Sequence, residues 1–333
     1  MDRRKFIQLT GGAVIASPLP ALAQKAADLP LVAVLLPSPE DIAVKLVAAL
    51  RDGLKQAGLV EGTHYALATR FANGDMPQLP KLARELEALS PRLFVAGANA
   101  AIVVHQQAPN MPMVFTGVAV DVIALGWAAS YARPGGMMTG NVQNAVGGEE
   151  AITTKRIGLF KELMPNLTRL GMIGFANGLL SNLEHKGLLK ASSQLGFEVF
   201  RYDLPTFSLD GFDDAVTAGL HDQVSAFYIS GGFVVFGHVP QVVASVAKSG
   251  RPICGVYPEF ARAGCLMSYS IDLEHGFRLT GTQVAKILEG TKPGDVPIQQ
   301  ADKFSLVVNL KAAKTLGVTV PDQLFTIADE LIE

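Results

Sequence analysis

From residue 30 onward two textures alternate along the chain. Short runs that are apolar at nearly every position occupy 31–36, 65–71, 93–96 and 113–116. Between them, 42–57, 79–89 and 100–107 carry apolar residues at helical spacing. Runs that are apolar on both faces, separated by amphipathic helices, predict a parallel sheet covered on both sides. The alternation stops at Arg133-Pro134-Gly135-Gly136, a turn-forming cluster. It then resumes, with strands predicted at 170–175, 198–203, 226–230 and 252–256 and helices near 150–163, 181–195, 211–220 and 239–248. The fold class is therefore α/β, with two doubly wound parallel-sheet units in tandem.

In such sheets ligands bind beyond the carboxyl ends of the strands, where the strand order reverses. The loops at those ends are rich in small polar residues: Pro37-Ser38-Pro39, Gly97-Ala98-Asn99, Thr116-Gly117, Asn177-Gly178 and Ser230-Gly231-Gly232. Small residues let a ligand approach the backbone, and N–H groups at helix N-termini favour an anion. One such loop is equally well an ordinary strand–helix turn. Five at corresponding ends of two sheets predict a shared cleft.

Composition narrows the function without naming it. Of 333 residues, 49% are hydrophobic and 17% charged, so two domains can each bury a core. A net charge of −2, with no later Lys/Arg cluster, argues against a nucleic-acid surface. Cys254 and Cys265 are the only cysteines and lie in apolar runs, which predicts two buried thiols; an oxidising compartment would also permit a disulfide.

The N-terminus adds a compartment. Arg3-Arg4-Lys5-Phe6-Ile7 is followed by an apolar run over 11–22, too short to span a bilayer, and Ala21 and Ala23 form a signal-peptidase pattern. Residues 1–23 are expected to be an export signal cleaved before Gln24. The paired arginines resemble a twin-arginine signal, which exports proteins already folded. No cysteine follows the run, so a lipoprotein anchor is not expected, and the mature protein is expected to be periplasmic.

Reaction chemistry is hard to find. Gly171, Gly174 and Gly178 do not have the spacing of a dinucleotide fingerprint, and neither a Walker A loop nor Gly-x-Ser-x-Gly occurs. The six histidines are scattered, with no pair at metal-ligand spacing on one helix. No cofactor or metal is expected.

Several stretches resemble bacterial ABC-transporter substrate-binding proteins of the tryptophan/tyrosine-binding type. They are Asp52-Gly53-Leu54 with Val60-Glu61-Gly62; Ala132-Arg133-Pro134-Gly135-Gly136 with Thr139-Gly140-Asn141; and Gly264, Leu266-Met267-Ser268-Tyr269 and Asp272. Ile287-Leu288-Glu289-Gly290-Thr291-Lys292-Pro293, Phe304, Val308-Asn309 and the Ala-Lys-x-Leu-Gly ending at Gly317 continue the match. The resemblance implies a type I periplasmic-binding fold, with two lobes joined by a three-segment hinge. Lobe one would hold 24–143 and 266–296, and lobe two 144–265 and 297–333. It also implies a monomeric solute receptor that hands a small organic ligand, an amino acid or related metabolite, to an ABC permease. A ligand-sensing subunit and an exported α/β enzyme are the alternative readings.

The chain departs from the family pattern in the loops that face the cleft. Ala119-Val120-Asp121-Val122 stands where the family carries Gly-Asp-Pro, Tyr257-Pro258-Glu259-Phe260 lacks two loop residues, and Ser270 replaces a Gly. Asp121 is the candidate partner for a ligand ammonium, because a charge-assisted pair away from bulk water is strong; Glu259 is the second candidate acid. Asn99, Thr116 and Gly117 are the candidate carboxylate donors, and Ser38 would cap the first cleft helix or touch the ligand. Asn177 and Ser230 are their counterparts on lobe two. Tyr257 is placed to stack on a planar group, whereas Tyr269 reads as core. Phe233 and Phe236 form an apolar wall or pack internally.

Overall fold

The computed structural model describes residues 29–143 and 148–333, so the expected export signal lies outside the described residues. The chain begins with β1 (Leu31–Leu36), α1 (Glu40–Gln56), β2 (Ala66–Phe71), α2 (Leu79–Glu87), β3 (Leu93–Gly97), α3 (Asn99–Gln107), β4 (Met113–Val118) and β5 (Met138–Val142). Period-two alternation sends Ala33 and Leu35 of β1 into one core and Val32, Val34 and Leu36 into another. The first core is shared with α2 and α3 through Leu82, Leu86 and Val104, the second with α1 through Leu46 and Leu50. That two-sided burial is why β1 is apolar throughout. Glu40 and Asp41 in the first turn of α1 and Lys55 in its last complement the helix dipole.

The second half contains α4 (Gly148–Leu163), β6 (Arg169–Phe175), α5 (Leu179–Leu195), β7 (Glu198–Leu204), α6 (Leu209–His221), β8 (Ala226–Ile229), α7 (Phe233–Phe236), α8 (Val239–Ala247), β9 (Ile253–Gly255), α9 (Pro258–Ala263) and β10 (Met267–Ile271). After it come α10 (Leu273–Leu288), β11 (Gln299–Gln300), β12 (Phe304–Asn309), α11 (Leu310–Leu316), α12 (Asp322–Ile327) and β13 (Glu330–Ile332). The strands form two sheets, ordered β11-β5-β4-β3-β1-β2 and β13-β12-β10-β9-β8-β6-β7. Every pairing is parallel except β10 with β12. The expected pair of doubly wound sheets is present.

The expected lobe boundaries need correction. β10 was assigned to lobe one, but Met267 pairs with Cys254 of β9 and Val308 of β12, inside the second sheet. Four of its five residues are buried, Tyr269 being the exception, and it lies inside that sheet between β9 and β12. Lobe one instead takes back α10 and extends through β11, where Gln299 pairs with Asn141. The chain passes between sheets after β5, after β10 and after β11. These passages are stitched together: Asp272 N–H donates to the Lys303 carbonyl at 2.9 Å, and Ala301 N–H to the Val142 carbonyl at 3.0 Å. Cys254 and Cys265 are both free and buried, as expected of core thiols. Among the described residues no helix is long and apolar enough to cross a membrane.

Candidate functional site

A cavity of about 610 Å³ lies at the carboxyl ends of strands from both sheets. Lobe one contributes Met76, the start of α3 (Ala98, Asn99, Ile102) and the end of β4 running through Gly117 to Val120. Lobe two contributes Phe175 with the start of α5, the Pro205–Phe207 loop, and Gly232 with Val234. Gln143, where the chain first leaves lobe one, closes the ring. The volume suits a metabolite-sized ligand, and the walls are mostly apolar.

Backbone geometry sets the lobe-one wall. Ala98 adopts φ +45°, a conformation most L-residues avoid, and its N–H donates to the Thr116 carbonyl at 2.9 Å. Such a conformation costs on the order of 1–3 kcal/mol and persists only where the surroundings fix it. Here it aims the first turn of α3 at the cavity. Gly117, at φ +59°, turns the end of β4 along the same wall.

Three of the expected site residues lie on this surface: Asn99, Gly117 and Asn177. The others lie off it, most of them held by specific partners. Thr116 is buried and its hydroxyl donates to Asn141 Oδ1 at 3.3 Å, which also accepts the Gly117 N–H at 3.0 Å. Asn141 in turn donates to Thr280 Oγ1 at 2.7 Å and to the Gly276 carbonyl at 3.0 Å, bracing β5 against α10. Ser38 is buried off the wall, and Asn73 Oδ1, not Ser38, accepts the Glu40 N–H at the start of α1. Asp121 is exposed outside the lining, where its Oδ1 accepts the N–H groups of Ile123 and Ala124 at 3.0 Å each. The carboxylate expected to meet an ammonium instead closes its own turn.

The lobe-two expectations diverge similarly. Ser230 is fully buried behind Ser181, which does line the cavity; their hydroxyl oxygens are 2.7 Å apart. Tyr257 is buried edge-on to Phe236, with centroids 4.6 Å apart, and burial pushes its phenol pKa up. Glu259 is off the wall, 3.7 Å from Arg262. The periodicity did not single out Gln143, Ser181 or Phe207. The last follows β7 by the same strand-end logic as the other loops and stacks on His238 at 4.4 Å.

Behind Ser181 sits a buried polar cluster. Glu184 on α5 accepts from the Ser230 hydroxyl through Oε2 and from the Gly231 N–H through Oε1 at 3.1 Å. Arg156 on α4, fully buried, donates to Glu149 Oε1 at 3.2 Å, Tyr228 Oη at 2.6 Å, Thr153 Oγ1 at 3.1 Å and the Tyr269 carbonyl. Burial pushes the Glu184 pKa up to about 7; the nearby Glu149 adds to the rise and Arg156 opposes it.

Residues 31–332 match the family model described as ABC transporter substrate binding protein. A tyrosine-binding protein of Clostridioides difficile is 22% identical over 267 residues, 80% of this chain and 74% of that protein. A conserved domain protein of Vibrio cholerae superposes with a TM-score of 0.78 at 22% identity, covering 91% of this chain and all of that one. An ABC domain of Streptococcus pneumonia solved with L-Trp gives 0.77 at 23% identity, covering 90% of this chain and all of that one. The fold is the type I periplasmic-binding fold.

Proposed function

Because this chain belongs to the ABC transporter substrate binding protein family, we propose that it is the extracytoplasmic receptor of an importer. It captures a small organic ligand between its lobes and presents it to a membrane permease. The observation that carries this reading is the cavity itself: both sheets supply its walls, and three hydrogen-bonded passages join the lobes beneath it. Such a joint supports a closing motion that traps a ligand. Asn99 and Asn177, exposed on opposite walls, are the polar contacts that closure brings to the ligand.

The relatives that bind tyrosine and L-Trp set the starting panel: amino acids, aromatic acids and related metabolites. A ligand at a hundred times its Kd should stabilise the protein by about 2.7 kcal/mol, raising its melting temperature. Small-angle scattering should show a smaller radius of gyration in the same sample. A genuine ligand that leaves the radius unchanged would rule out capture by closure.

Export by the twin-arginine route completes the proposal. Changing Arg3-Arg4 to Lys-Lys should leave the precursor in the cytoplasm, as read by fractionation. Normal export of that variant would assign the protein to the general secretory route.

A further inference from the structure

The cavity wall has a charge pattern that discriminates between ligands of the same shape. Among the described residues, none of the side chains lining it is Asp, Glu, Lys, Arg or His. An amino acid enclosed here would bury its ammonium without a counter-charge, which is strongly unfavourable.

Three acids that adjoin the rim in sequence are already engaged, and Asp210, exposed in the first turn of α6, is not among the wall residues. Asp121 holds its own turn, Asp75 Oδ2 accepts from Gln78 Nε2 at 2.6 Å, and Asp203 pairs with Arg201 at 2.8 Å. Glu184 approaches the wall from behind, but Ser181 and Ser230 stand in front of it. One of its oxygens accepts from Ser230 and the other from the Gly231 N–H. Among the described residues, no carboxylate lies on the wall.

The local field has the opposite sign. α3 and α5, helices of nine and 17 residues, both start at the wall, and neither has a side-chain cap. Their first-turn N–H groups leave the positive ends of two dipoles at the cavity, which disfavours a cation and favours an acid. Away from those ends, Ile102, Val118, Phe175, Phe207 and Val234 give an apolar surface suited to a hydrocarbon or aromatic body.

We infer that the ligand is an organic acid with an apolar body and no ammonium group, the deaminated counterpart of a hydrophobic amino acid. The inference rests on the receptor reading and sharpens it. It also reverses the expectation attached to Asp121, whose carboxylate serves its own loop.

Matched pairs that differ only in the amine test this on the purified mature chain: 3-phenylpropanoate against phenylalanine, indole-3-propanoate against tryptophan, and 4-methylpentanoate against leucine. Calorimetry should show at least one acid binding tenfold or more tighter than its amino counterpart. Asn99→Asp, which adds a carboxylate to an exposed position on the wall, should weaken that acid at least tenfold while leaving the melting temperature of the free protein within a few degrees. Equal or tighter binding of the amino acids overturns the inference and leaves the receptor reading standing. Failure of every acid to bind also overturns it. The receptor reading fails separately, if no solute of any class draws the lobes together in scattering.

Discussion

Arg156→Met should destabilise lobe two by about 3–5 kcal/mol, the range for breaking a buried ion pair by removing one partner. The guanidinium is fully buried and joins Glu149 and Thr153 of its own helix to Tyr228 of β8 and the Tyr269 carbonyl of β10. Methionine approximates its length but leaves the buried Glu149 carboxylate uncompensated and several donors and acceptors unmatched. Adding Glu149→Gln should recover part of the loss, because the stranded charge is then absent. Arg156→Lys should lie between, since one ammonium cannot reproduce the planar fork. The same cluster sets a pH dependence. The folded pKa of Glu184 is raised from 4.5 to about 7, so the folded chain holds a proton that the unfolded chain releases across that window. Stability should therefore fall as pH rises through that window. Glu184→Gln should flatten the profile. Urea unfolding at pH 5 and pH 8 reads both effects; a loss below about 1 kcal/mol in Arg156→Met at pH 8 would contradict the account.

That cluster also marks where the sequence stopped being readable. In α4 the charges at Glu149, Glu150, Lys155, Arg156, Lys161 and Glu162 fall in three directions around the helix, so spacing does not say which of them turns inward. Only the packing of α4 against the second sheet makes Arg156 internal while Lys155 stays exposed. The strands β1, β3, β4, β6 and β8 were legible because burial on both faces demands apolar residues at successive positions. β5 was not. Met138-Thr139-Gly140-Asn141-Val142 is buried yet polar, because Thr139 donates to the Val296 carbonyl at 2.6 Å and Asn141 braces α10. The donors of Thr139 and Asn141 find partners more than 130 residues away, which local periodicity cannot report.

The site shows a similar division. The strand-end rule located the wall and placed Asn99, Gly117 and Asn177 on it, because that rule follows from topology. The roles of single side chains depended on competing partners. Thr116 was captured by Asn141, Ser230 by Glu184, and Asp121 by backbone N–H groups two and three residues ahead. The last is a local pattern that Asp at the head of a turn favours, so the sequence held a signal for it. The other two partnerships join residues 25 and 46 positions apart and form only in the folded chain.

Gly281→Val should be at least as damaging to lobe one as Arg156→Met is to lobe two. Gly53 of α1 and Gly281 of α10 face each other where the two helices approach backbone to backbone. A Cβ on Gly281 would fall on the Leu50 carbonyl oxygen and lie within 2.7 Å of Leu54 N and 2.8 Å of Gly53 Cα. Backbone atoms in a helix have no rotamer to give, so the helices must move apart. Phe277, Val284 and Ile287 would then lose contact with the core shared with Leu46, Leu50 and Leu54. Overpacking of this kind typically costs 1–3 kcal/mol, and a backbone clash with core separation puts the expectation at about 3 kcal/mol or more. The effect reaches the joint between lobes as well, since α10 leads directly from β10 of lobe two into lobe one. Gly158 in α4 provides the opposite case: nothing lies within 4 Å of its virtual Cβ. Gly158→Ala should stabilise the protein by about 0.5–1 kcal/mol through the lower entropy of the unfolded chain. Thermal and urea melts of the two variants should move in opposite directions from the parent. A Gly281→Val protein that melts with the parent would show that α1 and α10 are not held in backbone contact.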